Sequence, residues 1–241
     1  MMAYAFVLII GLAAGALSGV IGTGASIILL PILVVQFGPK QAVPIMAIAA
    51  LMSNVAKAML WWREIDWRAC AAYSATGVPA AALGAGTLLV LPAHLIDVAL
   101  GLFFLCMIPL RRHLEAYRLH LRLWQLALAG GVIGYITGIV LSTGPLSVPA
   151  FTAYGLIRGA FISTEAASSL LLMASKVATF RELGALPAPA LVQGLIIGSS
   201  VMAGSFAGKA LVQRMSVHVF RHILDVLLLC AGVTLLAAAF M

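Results

Sequence analysis

The sequence predicts an all-α integral membrane protein of about eight transmembrane helices, arranged as two homologous four-span repeats. Apolar residues make up 63% of the 241 residues and charged residues only 9%, and the mean hydropathy is +1.15. Such a composition leaves too little polar surface to cover a soluble globule. Apolar runs of about 18–25 residues fit helices that cross a hydrocarbon core about 30 Å thick. The period-2 alternation of a membrane barrel is absent from the sequence.

The expected spans follow one another with short connections. The first and the fifth are too long for one straight helix, so we predict that both are broken. The expected ranges are 4–36, 41–61, 69–90, 93–110, 124–156, 162–181, 188–212 and 218–240. One membrane domain (1–241) thus holds repeat 1 (4–110), a basic cytoplasmic linker (111–123) and repeat 2 (124–240), with no room for a soluble catalytic domain.

The duplication is visible in residues that composition alone does not explain. The residues that recur at a separation of 118–119 are Gly11, Gly15 and Gly19 (as Gly130, Gly134 and Gly138), Lys57 (as Lys176) and Arg63-Glu64 (as Arg181-Glu182). His94 and Cys106 recur as His218 and Cys230 with their spacing kept. A lysine within an apolar run does not recur by chance composition. Internal duplication of a helical membrane unit is typical of secondary transporters.

The net charge of +7 does not indicate nucleic-acid binding, because the basic residues lie beside the membrane. The connection between the halves holds Arg111, Arg112, Arg118 and Arg122. Its apolar residues are spaced for one face of a helix on the membrane surface. A positive-inside anchor explains this cluster. We therefore expect the linker and both termini in the cytoplasm, although Lys209 and Arg214 fall on the opposite side in this topology.

The two broken spans are where a ligand is expected. Gly22-Thr23-Gly24-Ala25-Ser26 and Ser142-Thr143-Gly144-Pro145 disfavour continuous helix and free backbone groups. A bilayer tolerates such backbone only where it is buried in protein or lines a cavity. A helix that restarts there points N–H groups at the midplane, which suits an anion. The alternative is that the breaks serve packing and kinking alone. The candidate binding residues are Gly22, Thr23, Gly24, Ser26, Ser142, Thr143 and Gly144.

Lys57 and Lys176 form the second candidate constellation. Ser53, Asn54 and Ser175 lie beside them in the sequence. A charged side chain at the centre of a membrane helix costs about 2.5–3.5 kcal/mol on insertion scales, and no matching acid recurs in both halves. The alternative is that each lysine snorkels toward a nearby loop. If both face inward, two positive charges converge on the two breaks and form an anion site.

Other polar residues indicate neither catalysis nor a metal site. Glu165, at the expected start of the sixth span, could relay protons, but a carboxylate is favoured in an N-terminal helix turn anyway. The three cysteines lie far apart without C-x-x-C spacing and are expected to be small core residues. His218 and His222 share a helix face without a third ligand nearby. We therefore expect no enzyme, no cofactor and no metal.

These features together resemble those of the TauE/SafE sulfite exporter family. The resemblance rests on the duplicated glycine-rich segment, its broken Gly-x-Gly run and the loop from Arg63 to Trp67, and it covers nearly the whole chain. Where the family pattern resembles Gly-x-Gly-Gly-Gly followed by proline, Ala25 and Ser26 replace two glycines here. The resemblance implies transport of small sulfur-containing anions, such as sulfite or organosulfonates, across the inner membrane.

The expected function is thus a secondary transporter, in the exporting direction, that works by alternating access around a midplane anion site. A small anion and the lipid bilayer are its expected partners; a homodimer is left open. The alternative is a membrane scaffold or assembly factor whose glycine-rich helix faces hold a partner. Four spans per repeat would relate the halves by an axis along the membrane normal. A re-entrant broken segment would make the count odd and invert them, and the sequence leaves both open.

Overall fold

The computed structural model describes residues 8–16, 25–116, 120–140, 144–212 and 217–239. Within these ranges the chain is helical and contains no strand. The helices are α1 (8–16), α2 (Ala25–Phe37), α3 (Pro39–Leu60), α4 (Trp67–Val90), α5 (Ala93–Ala116), α6 (Leu123–Val140), α7 (Gly144–Tyr154), α8 (Arg158–Glu182), α9 (Ala188–Val212) and α10 (Val217–Ala239). The expected first and fifth spans therefore fall on α1 with α2 and on α6 with α7. Their junctions, 17–24 and 141–143, lie outside the described residues.

The length and composition of several helices suit a membrane. The stretches long and apolar enough to cross one are Lys40–Leu60, Trp67–Val90, Ala93–Leu110, Leu123–Val140 and Ala188–Ala207. Shorter apolar stretches, Ile28–Phe37 and Leu228–Ala237, lie in α2 and α10. The α8 helix has 25 residues, but five of them are charged, which lowers its hydropathy. The protein is a multi-pass membrane protein, as its composition predicts.

Glycines set the closest helix contacts. Between α4 and α6, Gly77 contacts Gly134 and Gly84 contacts Gly138, so the two helices run in the same direction. On the other side of the molecule, Gly11 of α1 contacts Ser200, and Gly204 of α9 contacts Leu12 and Ala16, which makes α1 and α9 parallel as well. Small residues at such positions let helix backbones approach closely. The glycine faces thus bind helices of this same chain.

Contacts at one end of the bundle show that the chain reverses between α6 and α7. The Leu121 N–H, just before α6, donates to the carbonyl oxygen of Ala153, near the end of α7, at 2.9 Å. A side-chain contact gives the direction of α7 relative to α8. Only three residues separate the two helices, yet Ser147, early in α7, donates to Glu165 of α8. The α7 helix is therefore antiparallel to α8. Residues 121 and 153 thus lie side by side at the same end.

The directions of the other long helices follow from equally specific contacts. The α4 and α8 helices are parallel, since Asp66 N–H donates to Thr164 and Ser175 donates to the Val78 carbonyl oxygen. The α3 and α9 helices are also parallel; Gly194 contacts Ile45 and Ile48, and Gly198 contacts Ala49 and Met52. In contrast, α3 is antiparallel to α8, with Trp61 beside Gly159. Likewise α5 is antiparallel to α10, with Gly101 beside Leu236 and Leu105 beside Gly232.

The α3 helix is the central element of the bundle. Of the apolar stretch of α3, 67% is buried inside the protein, whereas the buried share of the other four membrane-length stretches is 33–39%. Its residues contribute much of the larger apolar core, together with α2, α5, α9 and α10. A smaller core joins α4, α6, α7 and α8 around Tyr73 and Phe151, whose ring centroids lie 4.8 Å apart. Lys57 of α3 is therefore surrounded by protein rather than by lipid.

The α4–α6 contact allows a direct stability test. A Cβ atom added at Gly84 would lie 2.9 Å from the Cα atom of Gly138 and closer still to the Tyr135 carbonyl oxygen. We expect Gly84→Ala to lower the free energy of unfolding by about 1–3 kcal/mol, as overpacking does. Gly86→Ala is the matched control, because a Cβ there meets no atom within 4 Å. Thermal unfolding in detergent measures both, and equal stability of the two variants would contradict the close contact.

Candidate functional site

Both lysines that the duplication singles out are buried inside the helix bundle. Lys57 is 2% exposed and Lys176 is fully buried. Neither side chain reaches the protein surface, so snorkelling toward a loop does not describe them. A buried ammonium requires partners in the protein or a bound ion. The surroundings of the two lysines therefore define the candidate site.

Lys176 lies against the end of α6. Its Nζ donates a hydrogen bond to the Thr137 carbonyl oxygen at 2.8 Å and lies 5.4 Å from the centroid of the Phe180 ring. A cation is favoured at the carbonyl end of a helix and over an aromatic face. Thr137 lies one turn before the junction 141–143 that joins α6 to α7. The structure therefore brings Lys176 to the edge of one of the two predicted breaks.

Lys57 faces an acid that sequence reasoning did not place there. Its ammonium interacts electrostatically with the carboxylate of Glu165 on α8, which is 3% exposed. Ser147 of α7 and Ser169 of α8 donate to Glu165 Oε1 at 3.0 and 2.9 Å. Oε2 is buried and accepts no hydrogen bond from any described residue. Three helices, α3, α7 and α8, thus meet at this carboxylate.

The position of Glu165 corrects an expectation about its helix. A span beginning at 162 would place Glu165 in the first turn, where the helix dipole alone favours a carboxylate. The α8 helix begins at Arg158, so Glu165 lies two turns inside it, and the dipole effect fades within one turn. The residues before 162 do contain a signal, since Gly159, Ala160 and Phe161 allow the helix to extend backward.

The remaining candidate residues divide into three groups. Ser53 and Asn54 are buried on α3 within one turn of Lys57, and Ser53 Oγ lies 3.3 Å from Ser205 Oγ of α9. Ser175 donates to the Val78 carbonyl oxygen at 3.0 Å and so joins α8 to α4. Ser26 is half-buried in the first turn of α2, and Gly144 begins α7. The candidates outside the described residues are Gly22, Thr23, Gly24, Ser142 and Thr143.

The two lysine sites differ in charge. Lys57 is accompanied by Glu165, whereas the residue 119 positions before Glu165, which would face Lys176 by the same repeat relation, is the fully buried Met46. In the described part of the chain, Lys176 is instead held by a carbonyl oxygen and a ring. A protonated Lys176 would have no acid beside it, among the described residues, to offset its charge. The arrangement can therefore attract an anion at Lys176 more strongly than at Lys57.

The described residues bring no three His, Cys, Asp or Glu side chains together as a metal site would require. Cys70, Cys106 and Cys230 are free thiols. Asp97 on α5 is a second buried acid, 7% exposed, and interacts electrostatically with His94 one turn earlier.

Comparison with known proteins matches residues 7–235 to the family described as Sulfite exporter TauE/SafE. The match spans both lysines, Glu165 and both helix junctions. No curated protein and no solved structure matches the chain.

Proposed function

Because the chain belongs to the TauE/SafE sulfite exporter family, we propose that it carries a small sulfur-containing anion, such as sulfite or an organosulfonate, across the inner membrane by alternating access. Members of the family are membrane transporters of sulfur anions, and the chain is a membrane transporter of that kind. The observation that carries the finer proposal is the burial of Lys57 and Lys176 inside the bundle.

Charge is the reason an anion fits these residues. Ionisable side chains within membrane helices mark substrate or ion pathways. Lys57 interacts electrostatically with Glu165, so a protonated Lys176 would supply positive charge that no described acid offsets. Sulfite and sulfonate oxygens accept hydrogen bonds from ammonium groups and from the N–H groups at a helix start. The starts of α2 and α7, which hold Ser26 and Gly144, would supply these N–H donors.

We place the two repeats in opposite orientations across the membrane. Two observations support this: α3 is antiparallel to its counterpart α8, and α5 is antiparallel to its counterpart α10. The α6–α7 pair begins and ends at the same side, so it returns instead of crossing. Each repeat then crosses three times, and an odd count inverts the second repeat. The starts of α2 and α7 would approach the midplane from opposite sides.

The basic residues favour one orientation of this arrangement. The Lys and Arg positions toward the end that holds residues 121 and 153 are Arg63, Arg68, Arg111, Arg112, Arg122, Arg158, Lys209 and Arg221, against Lys40 and Arg181 at the other end. The positive-inside rule places the richer end in the cytoplasm. Lys209, an exception in the eight-span topology, then follows the rule. The start of α1 and the end of α10 move to the outer side, which revises the expectation of cytoplasmic termini.

Cysteine labelling distinguishes the two topologies. In a variant with Cys70, Cys106 and Cys230 replaced by serine, we expect Leu183→Cys, between α8 and α9, to react with a membrane-impermeant maleimide in intact cells. His120→Cys, in the linker, is expected to react only after permeabilisation. Both side chains are exposed. The eight-span topology places both positions in the cytoplasm, so protection of Leu183→Cys in intact cells would reject the inverted arrangement.

Ligand-dependent thermal stability tests the function itself. We expect sulfite or a sulfonate to stabilise the detergent-purified protein by about 2.7 kcal/mol at roughly 100 times its Kd. Sulfate and small carboxylates are the controls. If the protein were a scaffold or assembly factor, none of these anions should stabilise it selectively. The glycine faces of α4 and α6 also pack against each other, which leaves fewer glycine faces for a partner protein. Equal, negligible shifts with all the anions would reject the transport proposal.

A further inference from the structure

Glu165 is the buried group that anion binding alone does not explain. A site for an anion gains nothing from a negative charge, yet this carboxylate is 3% exposed and lies among three helices. Two serine hydroxyls donate to Oε1, while Oε2 accepts no hydrogen bond within the described part of the chain. Carboxylates inside membrane proteins are costly and mark proton pathways. An oxygen without a donor is the atom on which a proton can reside.

The acid is confined to one half of the protein. The first half carries Met46 at the corresponding position, and Met46 is fully buried in the apolar core. Packing therefore does not require a carboxylate in this environment. The charge around Lys57 therefore changes by one when Glu165 gains a proton.

We propose that Glu165 carries a proton that crosses the membrane in the same direction as the anion. This inference rests on the proposed transport function. When a proton from water binds Oε2, the negative charge facing Lys57 disappears and the Lys57–Glu165 pair changes from neutral to singly positive. An anion then binds more tightly, and by linkage a bound anion holds the proton more tightly. When the site opens to the other side, both leave together.

The groups that face Glu165 from the described helices include no second acid that could carry the proton in its place. From α3 the facing group is the Lys57 ammonium, and from α4 it is the Tyr73 phenol, which also interacts electrostatically with the carboxylate. From α7 the Ser147 hydroxyl donates to it. Within α8, Ser169 donates one turn later, and Lys176 lies three turns away. Glu64 of the α3–α4 link faces Gly159 at the α8 start instead. Glu165 is thus the sole acid at the junction of these described helices.

The test uses the purified full chain in phospholipid vesicles, with radiolabelled methanesulfonate and radiolabelled sulfite as probes and a trapped pH dye. Methanesulfonate stays ionised and carries no proton of its own. We expect the parent to accumulate it on the alkaline side of a pH gradient. Glu165→Gln keeps the shape but cannot release a proton. We expect it to lose accumulation about tenfold, a typical coupling factor, and we expect any exchange of labelled for unlabelled anion that it keeps to be independent of pH.

Asp97→Asn is the matched control, because Asp97 is also buried with an oxygen that lacks a described partner; it should accumulate as the parent does. Parent vesicles that exchange either anion without moving protons would overturn this inference and leave the transport proposal standing. Parent vesicles that transport neither anion would overturn both this inference and the transport proposal. If Glu165→Gln loses exchange as well, Glu165→Asp is measured next. Accumulation of methanesulfonate by Glu165→Asp supports the proton role of Glu165, and a lack of accumulation overturns it.

Discussion

Replacing Lys176 by methionine is expected to weaken sulfite or sulfonate binding by about 1.5–3 kcal/mol, the range for a hydrogen bond to a charged group, or roughly 10- to 150-fold. Lys176 is fully buried, and methionine fills a similar volume without charge, so folding should be retained. Titration of the purified, monodisperse variant with each anion, followed by calorimetry, measures the loss. Lys40→Met is the control, since Lys40 is exposed at the start of α3.

Lys57→Met needs a different comparison, because it leaves the Glu165 carboxylate buried without its facing cation. That penalty would lower stability even if Lys57 never touched the anion. The pair Lys57→Met with Glu165→Gln removes both charges together, and a double-mutant cycle separates their interaction from anion binding. Weaker binding in the double variant assigns Lys57 to the anion. Parent-like affinity in both Lys176→Met and the double variant would return the lysines to a purely structural role.

The sequence favoured burial of these lysines, with snorkelling as the alternative, because a costly residue that recurs in both halves indicates a role inside the protein. The membrane class was equally predictable, since a chain with 63% apolar residues has few other folded states. Glu165 could not be placed, because Lys57 comes from a helix distant in the chain, and because Ser147 contacts Glu165 only when α7 runs back along α8. Helical spacing reports which faces are apolar but not which neighbour a face meets.

The reversal between α6 and α7 was also beyond sequence reasoning. A Ser-Thr-Gly-Pro junction indicates that a helix ends, yet the same residues suit a kink or a full turn. The direction depends on tertiary contacts, namely the hydrogen bond from Leu121 to Ala153 and the glycine pairs along α4 and α6. Span counting by hydropathy therefore predicts eight crossings, whereas the arrangement that we propose has six crossings and two returning helix pairs.

Replacing Gly144 by valine is expected to weaken anion binding about as much as removing a lysine, because the N–H groups at the start of α7 would lose their approach to the ligand. Gly144 is the first residue of that helix, and a β-branched side chain there crowds the space that anion oxygens need. Gly24→Val should have the same effect in the first repeat, although Gly24 lies outside the described residues. Affinity for a sulfonate, measured on folded and monodisperse protein, gives the result.

Gly204→Val separates this role from packing. A Cβ atom at Gly204 would meet the Leu12 carbonyl oxygen and lie 3.0 Å from the Ala16 nitrogen, so valine there should destabilise the α1–α9 contact through overpacking. Any folded fraction of Gly204→Val should bind a sulfonate with parent affinity, because Gly204 packs against α1 and belongs to neither of the two helix starts proposed to hold the anion. Gly144→Val should show the opposite pattern, with lower affinity at nearly unchanged stability. If Gly144→Val and Gly24→Val bind as tightly as the parent, the junctions serve packing alone and the anion binds elsewhere.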